Sequence, residues 1–242
     1  TQEIAREHTS LVFDLGPERS AQRNLGMRDK SSGKYVIYLD ADMILAPDLL
    51  EVAVEYMEAR LGCPGLPVVA LHIPEIVLGT AYFRRVRRFE RRFYNGTVVD
   101  CARLFLKEAF VEAGGFDESL SGPEDWDFDK KIKFIGRIDL LESKTVQAQA
   151  WARTETGKKL AAFIGERGVS PGSFANTIFH NESEFDLGKY LDKKSYYAKS
   201  FDDYIAKWGK NDPDLRQQFG VAYRFFGVFL EKVKWRRFFC RP

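Results

Sequence analysis

The run Tyr35-Val36-Ile37-Tyr38-Leu39-Asp40-Ala41-Asp42 limits what this chain can fold into more than any other stretch. Its apolar, β-branched and aromatic residues read as a short buried strand. It ends in two carboxylates one residue apart. In extended backbone, residues i and i+2 share a face. Asp40 and Asp42 are therefore expected to lean toward one point beyond the strand end. Two hard oxygen ligands there suit Mg2+ or Mn2+ carrying a phosphate-bearing substrate. A strand followed by a polar turn accounts for the same letters, because Asp is a common turn residue.

The periodicities on either side predict an α/β fold. Residues 1–7 read as a helix already under way, and Leu11-Val12-Phe13 as a short strand. Gly16-Pro17 breaks the chain before a helix over 18–30, on which Arg19 and Arg23 share a face. Pro47 opens a helix over 48–61 with Leu50, Val54 and Met57 as its apolar stripe. Residues 68–73 are apolar enough to be a strand buried on both faces. Residues 97–106 read as another strand, passing Asp100 and Arg103, and 107–113 as a helix stopped by Gly114-Gly115. A loop over 119–123 then delivers Glu124 and Asp125 to a helix running to Phe134. Carboxylates in a first helical turn are favoured by the helix dipole, so capping alone would account for them. Trp126 and Phe128 are packing candidates. Residues 178–180 read as a strand ending at His180, followed by helices over 189–208 and 215–239. Strands alternating with helices imply a Rossmann-like, mostly parallel sheet flanked by helices, with ligands at the carboxyl ends of the strands.

Three clusters stand in order. They are Glu18-Arg19-Ser20-Ala21-Gln22-Arg23-Asn24-Leu25-Gly26, the Asp40/Asp42 pair, and Gly114-Gly115-Phe116-Asp117-Glu118 with Gly122-Pro123-Glu124-Asp125-Trp126-Asp127-Phe128. This series closely resembles the family 2 glycosyltransferases, inverting enzymes of the GT-A fold that use nucleotide sugars. The resemblance runs to about Phe134 and resumes at His180. It implies a catalytic domain over 1–186, an insertion at about 143–176 and a C-terminal helical extension over 187–242. In the family, a strand and an Asp-rich turn precede the first helix and hold the donor's base and ribose. The chain is therefore expected to be a fragment that lacks this first unit.

The resemblance also implies roles. Asp40 and Asp42 would hold a metal and the donor diphosphate, above Arg19, Arg23 and Asn24. Asp42 is the expected direct ligand and His180 a further one, although a lone His is more often a satisfied strand-end residue. The cation would neutralise charge on the departing diphosphate. Asp125 would take the acceptor's proton, with Glu124 beside it. Asp100, Arg103 and Trp126 are expected at the acceptor. A nucleotidyltransferase would use similar carboxylates but needs a Gly-rich basic loop near its start, which is not seen. A non-catalytic, peripheral membrane-binding module on the same scaffold is the third reading.

Composition narrows the partners. With 242 residues, 45% hydrophobic and 30% charged, the chain has the size and balance of a soluble globular domain. Cys63, Cys101 and Cys240 are scattered, which argues against a disulfide framework and for a reducing compartment. No apolar run reaches bilayer-spanning length. A net charge of +2 and the lack of a nucleic-acid motif argue against nucleic acid as a partner. Two segments combine aromatics with clustered basic residues. One has Tyr82, Val86, Phe89 and Phe93 along a face, with Arg84, Arg85, Arg87, Arg88, Arg91 and Arg92 around the rest. The other runs from Phe219 with Arg224, Lys232, Lys234, Arg236 and Arg237 interspersed. Together they predict an anionic membrane surface as a partner. The expectation is an enzyme at the cytoplasmic face, acting on a glycan or lipid-linked acceptor.

Overall fold

The computed structural model describes residues 2–62, 64–141, 153–170, 176–181, 187–231 and 234–235. Helix α1 (Gln2–Arg6) is followed by α2 (Arg19–Asn24), which runs on as a π-helix over Leu25–Lys30. Strands β1 (Tyr35–Ile37) and β2 (Met43–Leu45) precede α3 (Leu49–Leu61), β3 (Val68–His72), β4 (Glu75–Val77) and α4 (Tyr82–Tyr94). Next come β5 (Leu104–Leu106), α5 (Lys107–Glu112), α6 (Glu124–Ile132) and β6 (Arg137–Leu140). Helix α7 (Glu155–Glu166), β7 (Ile178–His180) and helices α8 (Leu187–Ala198), α9 (Phe201–Trp208) and α10 (Pro213–Phe219) lead to a π-turn (Tyr223–Gly227) and α11 (Val228–Leu230).

The α/β class stands, with mixed sheets. The larger has the order β1-β5-β3-β6 and the smaller β2-β7-β4. In the larger sheet β1, β3 and β6 share a direction while β5 runs against them, so its ladders to β1 and β3 are both antiparallel. The expected mostly parallel sheet is corrected on this point. A reversed strand between two forward ones turns both of its ladders antiparallel at once.

Two cores press on this sheet. Leu49, Ala53 and Met57 of α3 and Ile164 of α7 meet Val68, Leu71 and Leu104. Phe110 of α5 and Phe128 and Ile132 of α6 meet Val36, Val69, Ala70 and Phe105. Val69 and Ala70 are sequence neighbours yet join the same core. A register irregularity between Val68 and Ala70 accounts for that, since a bulge puts successive residues on one face. The buried stripe of α3 is Leu49, Ala53 and Met57, whereas Leu50 is exposed. The stripe starts one residue earlier than expected. In 143–176, a helix begins at Glu155, with the Thr154 hydroxyl accepting from Gly157 N at 3.0 Å. The rest of that stretch lies largely outside the described residues.

Other expectations shift. Leu11-Val12-Phe13 forms no strand, and both Leu11 and Phe13 are exposed. The strand expected over 97–106 shrinks to β5, because Thr97 and Asp100 close a turn with Asp100 N donating to Thr97 O at 3.1 Å. The helix expected over 189–208 is two helices, α8 and α9. The helix expected over 215–239 is broken after Phe219, and its last residues lie outside the described ones. Cys101 is a free thiol, while Cys63 and Cys240 lie outside the described residues.

Candidate active site

Arg23 gathers carboxylates from distant parts of the chain. The sequence starts α2 cleanly: Glu18 caps it by accepting from Ala21 N at 2.7 Å. One turn on, the Arg23 side chain is 9% exposed, with its guanidinium 4.2 Å from the Tyr38 ring centroid. Its Nη1 donates to Asp125 Oδ1 at 2.8 Å, and its Nη2 to Asp40 Oδ1 at 3.2 Å. The Tyr38 hydroxyl also donates to Asp125 Oδ1, at 3.0 Å.

Asn24 faces the other way, into the protein. It is buried, accepts from Phe116 N at 2.8 Å and donates to Phe116 O and Glu118 Oε1, both at 2.9 Å. It clamps the Gly114-Gly115-Phe116 turn to α2. Gly115 has φ +69°, and a Cβ there would fall 2.5 Å from Asn24 Oδ1. This clamp suits an amide, which donates and accepts at once.

Glu124 and Asp125 part company at the start of α6. The Glu124 side chain is 1% exposed and accepts from Arg19 Nη2 and from Gly122 N, both at 2.5 Å. Burial, and then the neighbouring Asp125, push its carboxyl above the usual range. Asp125 is 22% exposed, and both of its described bonds fall on Oδ1. Of the two, only Asp125 presents a carboxylate to solvent.

Asp40 and Asp42 do not share a face. β1 ends at Ile37, and the two acids lie in a turn closed by Met43 N donating to Asp40 O at 3.0 Å. The extended-backbone argument therefore fails here. Asp40 turns to Arg23 and to Arg103, whose Nη1 lies 3.6 Å from Asp40 Oδ2. Burial would raise the Asp40 carboxyl, but Arg103 and Arg23 overcome it and hold the pKa below its ordinary value. Asp42, 46% exposed, turns to His180, whose Nε2 lies 3.2 Å from Asp42 Oδ2. The β2–β7 ladder sets Met43 opposite His180 and so brings that pair together.

Glu75 joins the two arms, and sequence reasoning missed it. It is buried on β4, and its Oε1 accepts from Arg103 Nε at 3.0 Å and lies 2.9 Å from Nη2. Its Oε2 lies 3.1 Å from Arg91 Nη2 and 3.9 Å from His180 Nδ1. The signal was present: an acid inside the apolar run 68–78. The network continues through Arg91 to Asp100 at 2.6 Å, and from Asp100 to His72 Nδ1 at 3.1 Å. His72 Nε2 lies 3.4 Å from Asp129. Asp100 also accepts from Gly96 N at 2.7 Å and is fully enclosed, which takes it away from any acceptor. Arg103 is likewise buried, at Asp40. Trp126 packs among Phe201, Tyr204 and Phe219.

A cavity of about 610 Å³ lies against Arg19, Arg23, Tyr38 and Asp40. Trp126, His72 and Asp129 line a different one, of about 390 Å³. Among the described residues, no three His, Cys, Asp or Glu side chains are grouped to hold a metal by themselves. Residues 1–114 match the family described as Glycosyl transferase family 2. That range covers Arg19, Arg23, Asp40, Asp42, Glu75 and Arg103, and stops before Glu124, Asp125 and His180. No curated protein matches the chain.

Proposed function

From the premise that this chain is a glycosyltransferase carrying a family 2 domain, we propose that it moves a sugar from a nucleotide-sugar donor to a glycan or lipid-linked acceptor, with inversion. The observation that carries this reading is the single guanidinium of Arg23 bonded to both Asp125 and Asp40. Asp125 then lies at the same place as the carboxylate that begins the Asp40-Ala41-Asp42 turn.

Asp42 and His180 would hold a divalent cation, with one oxygen and one nitrogen donor 3.2 Å apart on a half-exposed carboxylate. Mg2+ ordinarily keeps waters and substrate phosphates around one or two carboxylates, so a set this small fits. When bound, such an ion supplies Lewis-acid neutralisation of the departing diphosphate. Arg19 borders the cavity and adds positive charge there. Arg23 and Tyr38 occupy Asp125 Oδ1, which leaves Oδ2 for the acceptor hydroxyl. As the acceptor oxygen bonds to the anomeric carbon, its proton passes to Asp125 and the bond to diphosphate breaks from the opposite face.

Asp42→Asn is expected to abolish transfer while leaving the thermal unfolding midpoint unchanged. Near-normal activity across a range of Mn2+ concentrations would overturn the metal assignment.

A further inference from the structure

Helix α4 is amphipathic but mounted with its arginines inward. Arg84, Arg88 and Arg91 recur at helical spacing and face the body of the protein. Arg91 reaches Glu75 and Asp100. Arg88 donates to the carbonyls of Val77 at 2.6 Å, Gly79 at 2.5 Å and Arg167 at 3.0 Å. Arg84 lies so close to Gly79, at φ +128°, that no Cβ fits there. These partners are acids and carbonyl oxygens, so the inner face of α4 calls for guanidinium groups. The opposite side is consequently turned to solvent: Tyr82 is 74% exposed, and Phe83, Val86 and Phe89 are also exposed.

The exposed stripe runs on into the C-terminal segment. Phe89 packs at a tilt against buried Phe93 with ring centroids 5.2 Å apart, and the Phe229 ring centroid lies 4.8 Å from that of Phe93. Lys234 Nζ donates to the carbonyls of Phe93 at 2.8 Å and Asn95 at 3.1 Å. The Arg224 guanidinium lies 5.6 Å from the Tyr94 ring centroid. Residues 221–231 and 234–235 are thus docked at the end of α4, and they carry Phe225 and Phe226, each 69% exposed, with Val221 and Leu230 also exposed. Contiguous exposed apolar surface of this kind marks an interaction site.

We propose that α4 and residues 221–231 form one docking face for an anionic lipid surface. Aromatic rings sit well at the headgroup boundary, and the exposed Arg85 and Arg87 interleave with them to meet anionic headgroups. A second copy of the chain fits the face worse. A two-fold contact would gather the Arg85 and Arg87 of both copies into one interface, which like-charge repulsion opposes. No helix among the described residues is long and apolar enough to cross a membrane, so the face lies on the surface. The geometry also divides the arginine cluster. Arg88 and Arg91 hold the protein together, and Arg85 and Arg87 meet the lipid.

The test is co-sedimentation of the full chain with phosphatidylcholine vesicles, with and without phosphatidylglycerol, at low and high salt. Binding is expected to the anionic vesicles and to weaken with salt. Arg85→Gln with Arg87→Gln should cost about 30-fold, at about fivefold for each basic residue near the surface. Tyr82→Ser with Phe83→Ser, and separately Phe225→Ser with Phe226→Ser, should weaken binding to both vesicle types. All these side chains are exposed, so unfolding midpoints should hold, and the two aromatic pairs check each other should one pair destabilise the fold. Failure of the wild-type chain to sediment with either vesicle would overturn the proposal. So would binding that none of the variants alters. A solution dimer dissociated by the same substitutions would overturn it in favour of a second copy. Vesicle binding is read with no donor or acceptor present, so its failure leaves the glycosyl-transfer reading untouched.

Discussion

Glu124 and Asp125 are adjacent in sequence and unlike in environment, and that difference separates their expected phenotypes. Asp125→Asn should lower the turnover rate roughly 100- to 10,000-fold, the usual worth of a general base. Donor binding, measured by calorimetry, should change little. Glu124→Gln should act on stability instead, because Arg19 and Gly122 N lose a charged acceptor, a cost of about 1–3 kcal/mol. If Glu124→Gln proves inactive and Asp125→Asn active, the assignment of roles is reversed. Glu75 is the residue whose removal should reach furthest. It compensates Arg91 and Arg103, and Arg103 Nη1 already lies 3.6 Å from Asp40. Glu75→Gln leaves two buried cations short of charge, which costs about 3–5 kcal/mol for a broken buried pair. It also removes the negative charge that lies 3.9 Å from His180 Nδ1, on the imidazole proposed to hold the cation. Lower stability in urea together with weaker Mn2+ binding is the expected pair of results. Unchanged values of both would show that Glu75 has no such part.

At the scale of the element, the Gly114-Gly115-Phe116 turn and α2 act as one piece. Gly115 combines a left-handed backbone with close approach to Asn24 Oδ1. Gly115→Ala should destabilise by at least about 1 kcal/mol, the cost of that backbone for an L-residue, with the clash added. Asn24→Ala should destabilise too, by leaving Phe116 N without its acceptor. The double variant should lose less than the sum, because removing the amide also removes the clash. Urea unfolding of the four proteins checks this, and strict additivity would mean that the two residues are not coupled. α4 carries the opposite lesson. Its letters promise a basic face for solvent, while the carbonyls of Val77 and Gly79 draw Arg88 inward and the acids Glu75 and Asp100 draw Arg91 inward.

Across the whole molecule, the buried chain from Asp40 to Asp129 ties the turn beside the cavity to the interior of the sheet. Its far end should set the pH dependence of stability. Burial alone would lower the His72 pKa, yet Asp100 and Asp129 outweigh it, against opposition from Lys133, and hold it above its ordinary 6.5. Above about pH 6.5 the unfolded chain releases this proton first, so stability falls as pH rises through the folded value. Burial likewise pushes Asp129 up to about 6, so the folded state keeps a proton that the unfolded chain has already lost, and stability falls with rising pH up to that point. The unfolding midpoint should therefore drop from pH 6.5 upward, and His72→Gln should flatten the curve there. A wild-type midpoint that rises over that interval would exclude the paired, protonated His72.

By itself the sequence determined the elements and the chemistry on offer. The helices at 49–61 and 82–94, the strands at 68–72 and 178–180 and the stop at Gly114-Gly115 follow from local rules of periodicity and backbone freedom. The acids at 40, 42, 124 and 125 were visible as residue types, and their order carried the family resemblance. Which of them meet was decided only in three dimensions. A turn at Asp40–Asp42 replaced extended backbone and sent the two side chains to different partners. Pairing of β2 with β7 carried His180 to Asp42, and the fold of α6 against α2 brought Asp125 to Arg23. Glu75, Asp100 and Asn24 were legible as letters and not as roles. A buried charge takes its meaning from the opposite charge beside it, and that neighbour comes from elsewhere in the chain.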